Sequence, residues 1–253
     1  MYPTKMHLAA FYSSLAASQT GLAASPVVDA ALTTNNNGFL LPENSRVAYM
    51  YASGLGVTRA QLNVPSLRVV AQPNIYPVNK ALYPVDDAPI NRPGDQGPRI
   101  LQTETFAATL TSDATAGPND SYVLTWLKFG ATQKVQGDIT TIRATAAVTA
   151  VTGAWVVGAI TLEADLPTGF YAVVGMDALA GTTVAIRLRF PGQVYAPGVL
   201  SQQAAGQFFM GDFRYGNSGV FGVFQNSAIP LIEVLGTSGA QTIQLMLDII
   251  KVS

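Results

Sequence analysis

The chain has 253 residues, 14 Lys and Arg against 15 Asp and Glu, one histidine and no cysteine; its 11% charged residues fall well below the roughly 25% usual for soluble domains. The missing cysteines exclude disulfides and thiolate metal sites, the scattered, balanced charge argues against a nucleic-acid surface, and no apolar run nears the ~20 residues that cross a bilayer. So neutral a surface suits contact with other protein, and the composition points to an oligomer built from one large or two small β domains.

Lys5 precedes an apolar stretch, Met6 to Ala17, that could pass for a signal peptide. Its spacing predicts a helix instead, with Leu8, Phe11, Tyr12 and Leu15 on one face, a stripe expected to dock on its own domain or on a neighbouring subunit. Thr33 to Gly38 and Pro42 to Asn44 are turn clusters. Short strands are predicted at Arg46 to Tyr51, Arg59 to Val64 and Leu67 to Gln72. Pro73, Pro77, Pro84, Pro89, Pro93 and Pro98 lack ladder donors, so residues 73–98 should run extended across a surface rather than inside a sheet. Ile75, Tyr76, Val78, Leu82, Tyr83 and Val85 make this a docked strap rather than a free linker.

From Ile100 the pattern becomes apolar alternation bounded by Gly, Pro, Asn and Asp. Strands are predicted at Ile100 to Leu110, Tyr122 to Phe129, Thr140 to Ala150, Ala154 to Leu162, Gly169 to Val174, Thr183 to Phe190, Val220 to Val234 (broken by Pro230) and Thr242 to Val252. In Thr183 to Phe190, alternation buries Val184, Ile186, Leu188 and Phe190 and leaves Arg187 and Arg189 on a solvated face; Ile243, Leu245, Leu247 and Ile249 form the matching buried face of the last strand. With Pro191 to Gly219 as a long excursion, these strands suit an all-β, jelly-roll-like antiparallel β-sandwich, immunoglobulin-like order being the alternative. The expected organisation is an N-terminal arm with helix, short strands and proline-rich strap over 1–99, and an eight-stranded sandwich over 100–253.

Groups able to do chemistry are sparse. His7 sits next to Leu8, far in sequence from any acidic pair, and reads as a packing residue rather than a triad member. Asp86 and Asp87 are the only adjacent carboxylates, too isolated for a calcium loop, and nothing specific pairs Glu104 with Glu233 as a glycosidase would need. The segment Gly211 to Gly222 has Gly-x-x-Gly spacing but no Lys-Ser/Thr and no helix behind it, so it is no phosphate cradle. Its Phe213, Arg214 and Tyr215 have instead the composition of an interaction surface, as do Arg187 and Arg189, with Arg143 the third member of a weak basic patch. The expected interface residues are thus Leu8, Phe11, Leu15, Arg187, Arg189, Phe213, Arg214 and Tyr215; no catalytic, cofactor-binding or metal-binding residue is predicted.

Four segments carry a resemblance: Leu166 to Met176 (Leu-Pro-Thr-Gly-Phe-Tyr-Ala-Val-Val-Gly-Met), Ile186 to Gly192 (Ile-Arg-Leu-Arg-Phe-Pro-Gly), Ala196-Pro-Gly198, and Gly219 to Phe224 (Gly-Val-Phe-Gly-Val-Phe). They resemble the jelly-roll coat proteins of tailless icosahedral viruses of bacteriophage type, chiefly over residues 100–253. The resemblance implies a non-enzymatic virion subunit that assembles in many copies, with copies of itself and other virion proteins as partners. Many such proteins carry an Arg-rich arm; here the arm is nearly uncharged, which puts direct genome contact in doubt. A carbohydrate-binding or adhesin-like sandwich is the alternative, with Trp126, Trp155 and loop tyrosines as sugar platforms, although both tryptophans lie in apolar strands that suit a core or an interface better.

Overall fold

The computed structural model describes residues 3–36, 38–65, 74–75, 78–79, 97–114, 119–201 and 210–253. The chain is all-β. It divides into two compact units, one comprising Ala9–Phe129, the other Met1–Leu8 together with Gly130–Ser253. For brevity the Ala9–Phe129 unit is the N-unit and the other the C-unit.

The N-unit follows the chain from β1 (Met6–Leu15), whose first three residues belong to the C-unit, through β2 (Leu22–Pro26), β3 (Thr33–Asn35), β4 (Gly38–Leu40), β5 (Ser45–Gly54) and β6 (Val57–Asn63). It continues with β7 (Asn74–Ile75), β8 (Val78–Asn79), β9 (Arg99–Ile100), β10 (Thr105–Ser112) and β11 (Asn119–Lys128). The helix expected at the N-terminus is therefore a strand. Met6 through Phe11 are all buried, and a strand covered on both faces loses its alternation, so its apolar run is indistinguishable from a helix by periodicity. The cluster around Asn36 does turn the chain: Asn36 adopts φ 49° and Asn35 pairs with Gly38 in the β3–β4 hairpin.

The expected boundary at 99/100 falls inside the N-unit. Strands β10 and β11 lie beyond it, yet β10 pairs with β6 and β2, and β11 pairs with β5 along Tyr122 to Lys128. A chain that must bury the inner faces of β5 and β6 recruits them from later in the sequence. Of the strap, residues 74–75, 78–79 and 97–98 are described: Asn74 and Ile75 pair with β6, and Val78 and Asn79 pair in parallel with β5, so these pieces join sheets rather than crossing a bare surface. The rest of residues 73–98 and the strand predicted at Leu67 to Gln72 lie outside the described residues.

The C-unit contains β12 (Thr140–Ala150), β13 (Val156–Gly158), β14 (Thr161–Leu162), β15 (Phe170–Leu179), β16 (Thr183–Arg189) and β17 (Gly198–Leu200). A 3-10 turn at Met210–Phe213 precedes β18 (Gly222–Gln225), β19 (Leu231–Gly236) and β20 (Gly239–Lys251). One sheet has the order β14-β12-β20-β15-β18 and the other β13-β19-β16-β17. The pairings nest: β12 with β20, β13 with β19, β15 with β18 and β16 with β17. Strand β20 buries Ile243, Leu245, Leu247 and Ile249 as its alternation predicts. Gly158 of β13 lies so close to Val148 of β12, and Gly222 of β18 so close to the Phe190 ring, that a Cβ at either glycine would collide; the two sheets meet there.

Candidate functional site

Most of what the sequence offers as chemistry lies in the C-unit, in two ionic clusters. The first is centred on Asp248, which is completely buried in β20. Its register partners are Thr141 on β12 and Gly175 on β15, where a bulge lets the backbone close in. A Cβ on Gly175 would strike the Asp248 carboxylate and the Arg214 backbone, so glycine makes room for the cluster. The carboxylate accepts bonds from Arg214 Nε (2.7 Å) and Nη2 (2.8 Å), Thr141 Oγ1 (2.7 Å) and the Tyr215 amide (2.9 Å). That amide belongs to a residue at φ 54°, so the same carboxylate fixes a loop conformation disfavoured for a tyrosine.

Burial alone would raise the Asp248 carboxyl, but the bonds from Arg214, Thr141 and Tyr215 outweigh it and hold it below the usual carboxylate range. Asp177 on β15 lies 3.6 Å from Arg214 Nη1, yet burial pushes its carboxyl up, with its bond from the Ala178 amide and the arginine only partly opposing. Arg214 is pushed up by its bond to Asp248. Outside this cluster the sheet bears a cleft of about 610 Å³ whose charged walls are Arg143, Glu163, Asp177 and Arg214, with Tyr215 and Met246 beside them.

The second cluster lies on the other sheet. Arg187 on β16 pairs in register with Glu233 on β19, and their side chains form a buried ion pair. Arg187 Nη1 also donates to the Leu8 carbonyl at 3.0 Å, and the guanidinium lies 4.1 Å from the centre of the Trp155 ring. His7 completes the group, with Nδ1 accepting from the Ala196 amide at 3.0 Å and Nε2 3.4 Å from Arg187 Nη1.

The expected solvated face is thus corrected. Alternation does put Arg187 opposite Ile186 and Leu188, but the N-terminal segment and Trp155 cover it, leaving 2% exposed. Only Arg189 is open, with 46% of its side chain exposed and Glu233 at 3.4 Å. The basic patch does not form, because Arg143 lines the cleft on one sheet while Arg187 is buried on the other.

The remaining expected contact residues divide likewise. Leu8, Phe11 and Leu15 are fully buried within the fold of the single chain, so they are not open to a neighbouring subunit. Phe213 is also buried; Arg214 is tied to Asp248; Tyr215 alone stands out, 62% exposed with the Arg214 guanidinium over its ring. Trp126 is buried against Tyr49, and Trp155 has a ring face taken by Arg187. Asp86 and Asp87 lie outside the described residues. Sequence reasoning does not name Asp248, and it weighs Glu233 only as a glycosidase partner of Glu104, not as the partner of a buried arginine. Their signal was present: a single acid inside an otherwise apolar strand, as in Leu247-Asp248-Ile249 and Ile232-Glu233-Val234, needs a buried cation.

Among the described residues no group of three or more His, Cys, Asp or Glu is placed to hold a metal, and no helix is long and apolar enough to cross a membrane. No protein-family model matches the chain, and no curated protein matches its sequence.

Proposed function

We propose that the chain is a structural coat subunit, two jelly-roll β-sandwiches in one polypeptide that assemble in many copies into a shell. The observation that carries this reading is the nesting of strand pairs. In the C-unit the first long strand pairs with the last and each later pair closes inside the one before. That is the order left when a long antiparallel ribbon is rolled into two facing sheets, the jelly-roll form used by viral capsid domains. The N-unit repeats the scheme with β1 beside β11, β2 with β10, β5 with β9 and β6 with β7.

Surface chemistry supports assembly. Of the few charges in the chain, Asp177, Arg187, Arg214, Glu233 and Asp248 are buried in ionic clusters, which leaves the outside still more neutral than the composition suggests. Val151, Val157, Phe170 and Leu231 of the C-unit stand exposed, apolar side chains of the kind that subunit contacts cover. The sugar-binding alternative is weakened by the burial of Trp126 and by the arginine over Trp155, and the ionic clusters are tied up in holding strands together rather than free to act on a substrate. Electron microscopy with size-exclusion chromatography of the purified chain tests the proposal. Closed shells or a regular multimer is the expected result; a monodisperse monomer at micromolar concentration across salt and pH overturns it.

A further inference from the structure

We propose that the cleft on the open face of β12, β20 and β15 binds a neutral saccharide, with Tyr215 as the platform on which a sugar ring lies. Tyr215 stands out in the loop before β18. Its φ of 54° suits glycine or asparagine far better than an aromatic residue, and it is 62% exposed, so the fold gains little from burying the ring. The conformation is nonetheless enforced. The Tyr215 amide donates to the Asp248 carboxylate at 2.9 Å, the Gly216 amide to the Val174 carbonyl at 2.8 Å and the Asn217 amide to the Arg214 carbonyl at 3.1 Å. Asn217 Nδ2 and Ser218 Oγ donate to the Gly211 and Asp212 carbonyls, at 2.8 and 2.6 Å. A disfavoured backbone held this firmly, with its aromatic side chain in solvent, points to presentation rather than packing.

The walls of the cleft set the class of ligand. Its volume of about 610 Å³ falls within the range of small-molecule sites. Arg143 and Arg214 line it together with the acids Glu163 and Asp177, so an ion of either sign that enters meets like charge. A neutral hydroxyl both donates and accepts, so a polyol can use cations and acids alike. Register lays out the floor in two rows across the strands, Arg143, Met246 and Asp177 in one and Thr145, Gln244 and Leu179 in the other. Met246 and Leu179 are exposed there, and the open Gln244 amide adds one more donor and acceptor.

Such a floor matches a sugar ring, which carries hydroxyls around its rim and C–H groups on its faces. The rim meets the arginines, acids and Gln244; a C–H face meets the Tyr215 ring, Met246 and Leu179. The Arg214 guanidinium lies over the Tyr215 ring at 4.8 Å from its centre, so the residue that ties the loop to Asp248 also steadies the platform. The cleft stands independently of the coat-subunit reading: glycan retention tests the one and oligomeric state the other.

The experiment lays the fluorescently labelled full chain over an array of neutral and charged oligosaccharides. Neutral glycans should retain it, and the neutral glycan that retains it best, titrated in solution, should bind Tyr215→Ala about tenfold more weakly. Tyr215→Phe, which keeps the ring, should bind nearly as the wild type does, and the denaturant midpoint should stay the same in both variants because the side chain is mostly exposed. Should Y215A fail to fold, Arg143→Ala and Gln244→Ala, both exposed on the sheet, read the same cleft through the same loss of binding. Retention by charged glycans alone, retention by none, or neutral binding that survives these substitutions overturns the proposal. So does a Y215A chain that changes its oligomeric state while the array stays bare, since Tyr215 would then be a contact between copies.

Discussion

The two units close the same nested set of strand pairs with different interiors. In the N-unit the centre is aromatic: Phe11 lies 5.2 Å from both Phe39 and Phe106, Tyr12 packs on Tyr122, and Tyr49 meets Trp126. The buried polar side chains there are hydroxyls, such as Ser53, Ser112 and Thr125, whereas every buried charged side chain among the described residues belongs to the C-unit. Strand pairing therefore does not dictate how a sheet face is filled. Apolar contact is indifferent to pH and single charges; an ionic core is not, because removing one partner leaves the other buried and uncompensated.

The largest expected effect tests that contrast directly. Arg187→Ala should cost about 3 to 5 kcal/mol, because it strands Glu233 and uncovers Trp155. Replacing both members, Arg187→Met with Glu233→Leu, should recover most of that loss, since well-packed apolar side chains commonly match a buried pair. Phe106→Ala in the N-unit should cost a similar 3 to 5 kcal/mol by roughly the usual cavity cost, with no partner whose removal could repair it. Denaturant midpoints at fixed m-value measure all three. A double variant no better than R187A would show that the C-unit needs the charges themselves.

Acid should separate the units next. Asp248 is held below the usual carboxylate range, so its contribution is complete above about pH 4, the unfolded value, and is lost as the pH falls toward its folded value. One tryptophan lies in each unit, Trp126 in the N-unit and Trp155 in the C-unit, so Trp126→Phe and Trp155→Phe each leave a reporter for a single unit. Fluorescence of Trp155 should change in acid before that of Trp126. Asp248→Asn should begin less stable at neutral pH, by on the order of 1.5 to 3 kcal/mol for lost charged hydrogen bonds, and show a smaller acid step. Coincident acid transitions at both reporters would count against an ionic C-unit.

The same contrast explains what the sequence revealed. Strands β12 and β20 were legible because one face is covered and the other open, so Ile142, Ala144, Leu245 and Leu247 alternate with Arg143, Thr145, Gln244 and Met246. Strand β1 was misread because both its faces are covered, and two-sided burial erases period two. The boundary at 99/100 failed for another reason: β10 and β11 follow the proline-rich stretch but complete sheets begun before it, and local patterns carry no record of long-range pairing. At the site, Arg187 and Arg214 were expected as exposed interface residues, and both are buried in ion pairs instead. Arginine is mostly exposed, and only the lone acids in β19 and β20 hinted that these two were not.

The smallest predicted effect gives the sharpest reading of β16. Arg187 and Arg189 are two positions apart on one strand, point to the same face and both approach Glu233, so sequence alone treats them as equivalent. Cover makes the difference: Trp155, His7 and the Leu8 carbonyl enclose Arg187, while Arg189 keeps nearly half its side chain in solvent at 3.4 Å from the carboxylate. An exposed pair of that kind contributes about 1 kcal/mol or less, and salt screens it. Arg189→Ala should therefore shift the denaturant midpoint slightly, with the shift vanishing near 1 M salt, while the loss in R187A persists there. Equal losses at the two arginines would mean that the N-terminal segment does not cover Arg187.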